Sequence, residues 1–148
     1  RLVSDPAQAA AFLEAGGYLD ATRALLPDGW RAFPCSRELL ASRYVTPGHC
    51  WGAFAGGELR GMTIFLEAPR LTQSYIKIVM LDAVDPEAAG LLFDRVFTFA
   101  RERVCGYNEI ELIAPPIPRV LEACAARGLK SWEQEDDFLV YEYAGVRG

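Results

Sequence analysis

Residues 80–96 read MLDAVDPEAAGLLFDRV, and the fold turns on how this stretch is divided. Its first part belongs to SYIKIVMLDAV, residues 74–84, which is rich in β-branched residues and nearly apolar on both faces. That pattern predicts a strand buried on both sides, hence central in a sheet. Leu92, Val96, Phe99 and Ala100 then fall at helical spacing, so a helix follows through about Val104. Asp85-Pro86-Glu87 stands between the two as a capping residue, a proline suited to the first helical turn, and a second acid. Strand-to-helix junctions of this kind often carry glycine-rich loops whose N–H groups cradle a phosphate. This junction has only Gly90, with no Arg or Gln between Val84 and Leu92. Asp85 and Glu87 would satisfy the free N–H groups themselves and repel an incoming anion.

Working outward, Asp5-Pro6 followed by AQAAAFLEA predicts a capped helix stopped at Gly16-Gly17. WRAFP (30–34) predicts a short strand, and SRELLASRYV (36–45) a helix with a Ser cap, ended by Pro47-Gly48. CWGAFAGGELRGMTIFLEA (50–68) holds two apolar runs around Gly56-Gly57, a hairpin pattern, because Gly-Gly tolerates the positive φ angles of tight turns. NEIELIAPP (108–116) predicts a strand, IPRVLEACAARGLK (117–130) a helix capped at Gly128, and FLVYEY (138–143) a last strand with SWEQ as its hairpin partner. Hairpin-linked strands followed by a β-α-β segment imply an α+β fold with a mixed sheet covered by helices.

The length of 148 residues suits a single domain, 1–148, and the absence of a starting Met leads us to expect a piece of a longer protein. A net charge of −5 argues against nucleic-acid binding and against a polybasic membrane patch. The longest apolar run, around Ile76–Val84, is broken by Lys77 and Asp82 and is too short for a membrane span. Cys35, Cys50, Cys105 and Cys124 form no C-x-x-C pair, and His49 is the single histidine, so no metal site is expected. Buried thiols in a reducing cytoplasm are the simpler reading.

Taken together, the hairpin WGAFAGGELRGMTIFLE, the junction MLDAVDPEAAGLLFDRVFTFARERV, the strand IELIAP and the ending VLEACAARGLKSWEQEDDFLVYEY resemble the GNAT superfamily of N-acetyltransferases. YLDATRALLPDGWRAFPCSRELLASRY looks like the second half of proteins with two GNAT-like domains, whose C-terminal copy is often degenerate. The resemblance covers nearly the whole chain. It implies a mostly antiparallel, twisted mixed sheet with helices on both faces, and transfer of an acetyl group from acetyl-CoA to an amine of a small molecule or protein. It also implies that the pantetheine arm pairs with the backbone of the central strand, here Met80, Leu81 and Ala83, and that the pyrophosphate lies at the helix start, here Ala88, Ala89 and Gly90. The family's loop there, Arg/Gln-x-x-Gly-x-Gly/Ala, is roughly half a dozen residues longer than this connection. The alternative implied by that shortening is a non-catalytic domain that binds ligand or serves a preceding, catalytic GNAT domain.

The resemblance also implies a Tyr as general acid four residues before the glycine of the helix end, where this chain has Cys124, and an Asn where it has Pro115-Pro116. Asp82, a carboxylate in an apolar strand, is the candidate general base, with Glu67 behind it and a strand-end ion pair with backbone or Arg as the structural option. His49-Cys50 lacks an Asp or Asn at motif spacing, Lys77 suits a strand edge, and residues 133–137 (EQEDD) suit a solvated turn. Tyr18, Trp30, Tyr44 and Trp51 suit the core or a substrate pocket.

Overall fold

The computed structural model describes residues 1–16, 26–28, 31–33, 36–68, 75–102, 109–114, 118–135 and 138–144. Tyr18, Trp30, Cys35, Cys105, Pro115-Pro116 and Asp136-Asp137 lie outside them. Helix α1 (Pro6–Ala15) starts where Asp5 accepts the Ala7 N–H at 2.9 Å. A small antiparallel pair follows, β1 (Leu26–Asp28) with β2 (Arg31–Phe33). Ser36 accepts the Leu39 N–H and starts α2 (Arg37–Leu39), which widens into a π-helical stretch, Leu40–Val45. The sequence pattern carried no sign of that widening.

The main sheet holds β3 (Cys50–Ala55), β4 (Glu58–Ala68), β5 (Tyr75–Ala83), β6 (Glu109–Ala114), β7 (Lys130–Glu135) and β8 (Phe138–Ala144), in the spatial order β3-β4-β5-β6-β8-β7. Gly56 and Gly57 both have positive φ, 57° and 84°, and turn β3 into β4. All neighbouring pairs are antiparallel except β5–β6, so β5 is central as its composition predicts. Helix α3 (Pro86–Glu102) packs on β3, β4 and β5, and α4 (Pro118–Ala126) packs on α3 and β5. Gly128, with φ 78°, caps α4, its N–H donating to the Ala125 carbonyl.

The two faces of the sheet follow from alternation. Gly61 and its partner Ala83 face α3, so Met62 and Asp82 point to the other face, where α1 lies against β4. Leu92, Phe93, Val96 and Phe97 of α3 are all buried, and each contributes about 1.5–3 kcal/mol. Packing of this face, rather than intrinsic propensity, therefore holds α3 in place.

Gly61 sets how closely α3 approaches. A Cβ there would stand 3.0 Å from both Ala83 Cβ and Leu92 Cδ1 and 3.4 Å from Ala88 Cβ. We expect Gly61→Ala to cost about 1–3 kcal/mol by overpacking, read as a lower urea midpoint with an unchanged slope. An unchanged midpoint would mean that the helix shifts freely on the sheet.

Candidate functional site

The parallel ladder between β5 and β6 is short. It joins Ile76 to Ile110, Lys77 to Glu111 and Ile78 to Leu112, and no further pair links the two strands among the described residues. Just beyond, β5 carries an extra residue: Ile64 of β4 pairs with Met80 but Phe65 pairs with Ile78, so Val79 forms a bulge. From Val79 to Ala83 the central strand pairs with β4 on one side and, among the described residues, with no strand on the other, an opening in the sheet ladder. The Val84 N–H donates to the Arg60 carbonyl on β4 at 2.8 Å, so by alternation the backbone groups of Leu81 and Ala83 point into the opening.

Asp82 stands at this place with 2% of its surface exposed. Its carboxylate accepts three hydrogen bonds. Arg119 donates from Nε to Oδ1 and from Nη2 to Oδ2, each at 2.8 Å, and the Ala83 N–H donates to Oδ1 at 2.7 Å. The Asp82 side chain thus holds one of the backbone donors of the open edge and ties the first turn of α4 to the end of β5. This is the ion-paired arrangement the sequence left open beside the general-base role. Arg119 itself was not singled out from sequence, because nothing local relates it to a residue 37 positions earlier.

A cavity of about 460 Å³ lies against this ion pair. Its walls are Ala11, Phe12 and Ala15 of α1, Leu59 at the start of β4, and Val84, with Asp82, Ala83 and Arg119 at one side. Glu58, Gln8 and Gly16 complete the rim.

At the helix start, only Val84 and Asp85 separate β5 from α3. Asp85 Oδ1 accepts the Ala88 N–H at 2.8 Å, and Oδ2 accepts from Arg60 Nη2 at 2.9 Å. The Ala88 N–H first, and Arg60 second, hold the Asp85 carboxyl below its ordinary value of 3.8. Ala88 and Ala89 are buried, Ala88 against the Gly61 side of β4. Gly90 leaves room for Arg127: a Cβ at Gly90 would stand 2.7 Å from Arg127 Nη2, the same nitrogen that lies 3.3 Å from Asp94.

Cys124 is fully buried in α4 and lines neither the cavity beside Asp82 nor those around the hairpin. Desolvation pushes its thiol up to about 12, and that of buried Cys50 equally so. Met80 and Leu81 are buried, as is Tyr44. His49, Trp51, Phe65, Glu67 and Phe99 line a separate cavity of about 410 Å³ at the far end of β4, away from Asp82. There Trp51 stacks on Phe65 and Arg95 lies 4.2 Å over the Trp51 ring. Among the described residues no group of three or more His, Cys, Asp or Glu could hold a metal ion, and no helix is long and apolar enough to cross a membrane.

Two consequences are measurable. Cys50 and Cys124 should resist iodoacetamide at pH 8 in the native protein and react once it is unfolded, as read by peptide mass mapping; native labelling of Cys124 would contradict its burial. Because the Asp85 carboxyl is depressed in the folded state, its contribution to stability is present above pH 3.8 and is lost as pH falls below that value. The Tm gap between wild type and Asp85→Ala should therefore be widest near neutral pH and narrow toward pH 3.

No protein-family model matches this sequence, and no match was found among curated proteins. Solved structures do match. The GNAT-like decarboxylase GphF, in complex with isobutyryl-CoA, shares 16% identity and superposes with a TM-score of 0.65 over 97% of each chain. Arabidopsis thaliana NAA60 in complex with acetyl-CoA shares 11% identity with a TM-score of 0.66, over 96% of this chain and 93% of that one. TTHA1254 from Thermus thermophilus shares 21% identity with a TM-score of 0.58, over 70% and 78%. At such identities the likeness concerns the fold: this chain has a GNAT-like α+β fold.

Proposed function

We propose that the chain is a GNAT-type N-acetyltransferase domain that takes the acyl-pantetheine part of acetyl-CoA in the opening between β5 and β6, with a weakened pyrophosphate contact. The single observation that supports this most is the parting of the two strands after Ile78 and Leu112, which turns the backbone of Leu81 and Ala83 toward an open edge. The solved complexes of NAA60 with acetyl-CoA and of GphF with isobutyryl-CoA, which share the fold, lend support. Leu81 and Ala83 are the residues we assign to the pantetheine arm; the Met80 backbone, expected from the sequence to join them, is turned toward β4, where its carbonyl accepts from Thr63 Oγ1.

In this reading a neutral amine attacks the thioester carbonyl carbon, a C–N bond forms, the C–S bond breaks, and the proton lost by the nitrogen ends on the departing thiolate or on water. The chain's part is to align the two reactants and to exclude water. Asp82 is better placed to hold Arg119 than to meet a substrate, since its carboxylate is buried and already accepts three hydrogen bonds. Cys124 is a poor acid at a pKa of about 12. Turnover by the chain alone should accordingly be slow. The same facts favour the second reading, a non-catalytic domain beside a catalytic GNAT domain in the same protein.

Asp85 gives the reading a specific test. An intrinsic carboxylate on the first turn of α3 takes the place a pyrophosphate would need. Calorimetric titration should therefore find acetyl-CoA and acetyl-pantetheine bound with similar affinity. Asp85→Asn should strengthen acetyl-CoA by about two- to fivefold and leave acetyl-pantetheine unchanged. If neither ligand binds at millimolar concentration, the acyl-CoA reading is wrong. Binding without turnover of any amine would select the non-catalytic form.

A further inference from the structure

Arg1 and Arg95 bring two guanidinium groups to one cavity of about 290 Å³ between β3 and α3. Trp51 and Phe54 line it from the strand, Leu91 and Leu92 from the helix. Among the described residues, no Asp or Glu lines it. In a chain with a net charge of −5, this is a local reversal of sign.

Both cations are fixed in place without an acid. The Gly52 N–H donates to the Arg1 carbonyl at 2.8 Å and the Val3 N–H to the Cys50 carbonyl at 2.9 Å, so residues 1–3 run along the outer edge of β3. That course sets the Arg1 guanidinium over the Phe54 ring, 4.2 Å from its centroid. The Arg95 guanidinium lies at the same distance over the Trp51 ring. A ring face attracts such a charge but does not neutralise it. Arg37, Arg60, Arg119 and Arg127 are each paired with a carboxylate, whereas Arg1 and Arg95 form no ion pair among the described residues. The Arg95 Nε is moreover buried with no hydrogen-bond partner. Burial first, and then the Arg1 and Arg95 guanidinium groups, hold the Arg1 amino group below its ordinary value of 8.0, so both cations act on the same spot. Like charges gathered at one cavity repel each other, and an anion between them removes that repulsion.

We propose that this cavity binds a small phosphate monoester with an apolar or aromatic body, its dianionic phosphate held between Arg1 and Arg95. Two guanidinium groups match the two charges and the acceptor oxygens of such a phosphate. The body would cover Leu91, a large apolar side chain left 58% exposed one helical turn before Arg95. β4 and β5 separate this cavity from the opening beyond β5, so the assignment does not depend on the acyl-CoA reading.

Phenyl phosphate, phenyl sulfate and inorganic phosphate separate the elements of the site. In calorimetric titrations of the whole chain, phenyl phosphate should bind at least about fivefold more tightly than phenyl sulfate, which carries one charge, and than inorganic phosphate, which has no ring. Arg1→Gln and Arg95→Gln should each weaken phenyl phosphate about tenfold. Leu91→Asp supplies the missing acid at an exposed position four residues before Arg95, so it should abolish binding with little change in Tm. No binding of phenyl phosphate at millimolar concentration, equal binding of the three ligands, or binding unimpaired by Arg95→Gln and Leu91→Asp would overturn the assignment and leave the two cations as covers for their rings. Acetyl-CoA is titrated in parallel: an affinity unchanged by Arg95→Gln supports a separate site, and a fall like that of phenyl phosphate would assign the two cations to the phosphates of acetyl-CoA instead.

Discussion

The parting of β5 and β6 is the constraint on which the rest of this molecule depends. Among the described residues, a parallel pair that stops after three residue pairs leaves backbone donors and acceptors on the central strand with no ladder to join. The bulge at Val79 begins the divergence, because an extra residue twists β5 away from its neighbour while β4 keeps it in the sheet on the other side. The open edge then has to be managed. Asp82 does so in part, by taking the Ala83 N–H, and Arg119 in turn neutralises Asp82 from the element that follows β6. The ion pair thus accompanies the opening: it braces the end of β5 against α4, the helix that follows β6. Removing one member of such a pair leaves the other buried without compensation, at a cost of about 3–5 kcal/mol in a fully buried case. The partial exposure of Arg119 puts this one lower, since water screens it.

A similar substitution occurs at the start of α3. Free N–H groups at a helix start attract an anion, and the nearest anion in this chain is its own Asp85. Arg60 reinforces the arrangement from β4, so strand, junction and helix are linked by one carboxylate. In both places a side chain no more than three residues from the donor has claimed it. Backbone groups that could meet a ligand are thereby held by the chain itself, and a ligand must either find the groups that remain or displace a carboxylate. At the helix start very little remains, because Asp85 holds the Ala88 N–H.

How much of this could be read in the sequence follows from how local each feature is. Asp5, Ser36 and Asp85 could be recognised as caps because the donor they serve lies two or three residues on, and Gly56-Gly57 because a tight turn needs φ angles that few residues adopt. The central position of β5 was legible because burial on both faces removes polar alternation from the strand itself. The opening was not, because strand pairing depends on where β6 and α4 go. Arg119 escaped for the same reason: Asp82 could be seen as a carboxylate in need of a partner, but the partner is set by the three-dimensional course of α4. The π-helical widening at Leu40–Val45 also left no trace, since its apolar spacing differs little from that of an α-helix.

The short connection at Val84-Asp85 and the close approach at Gly61 are one feature seen from two sides. With no Cβ at Gly61 and only methyl groups at Ala83 and Ala88, the first turn of α3 settles close onto β4 and β5, and Leu92 packs over Gly61. A helix this close to the strand end can be reached by a two-residue turn, and the turn then brings Asp85 within reach of the Ala88 N–H. A longer loop able to wrap a pyrophosphate would have to lift the first turn of α3, exposing Ala88 and Ala89 and opening a gap over Gly61. Removing the charge of Asp85 would lessen the repulsion toward an anion but would not restore the backbone needed to surround one. This helix start is therefore closed to a pyrophosphate by packing first and by charge second.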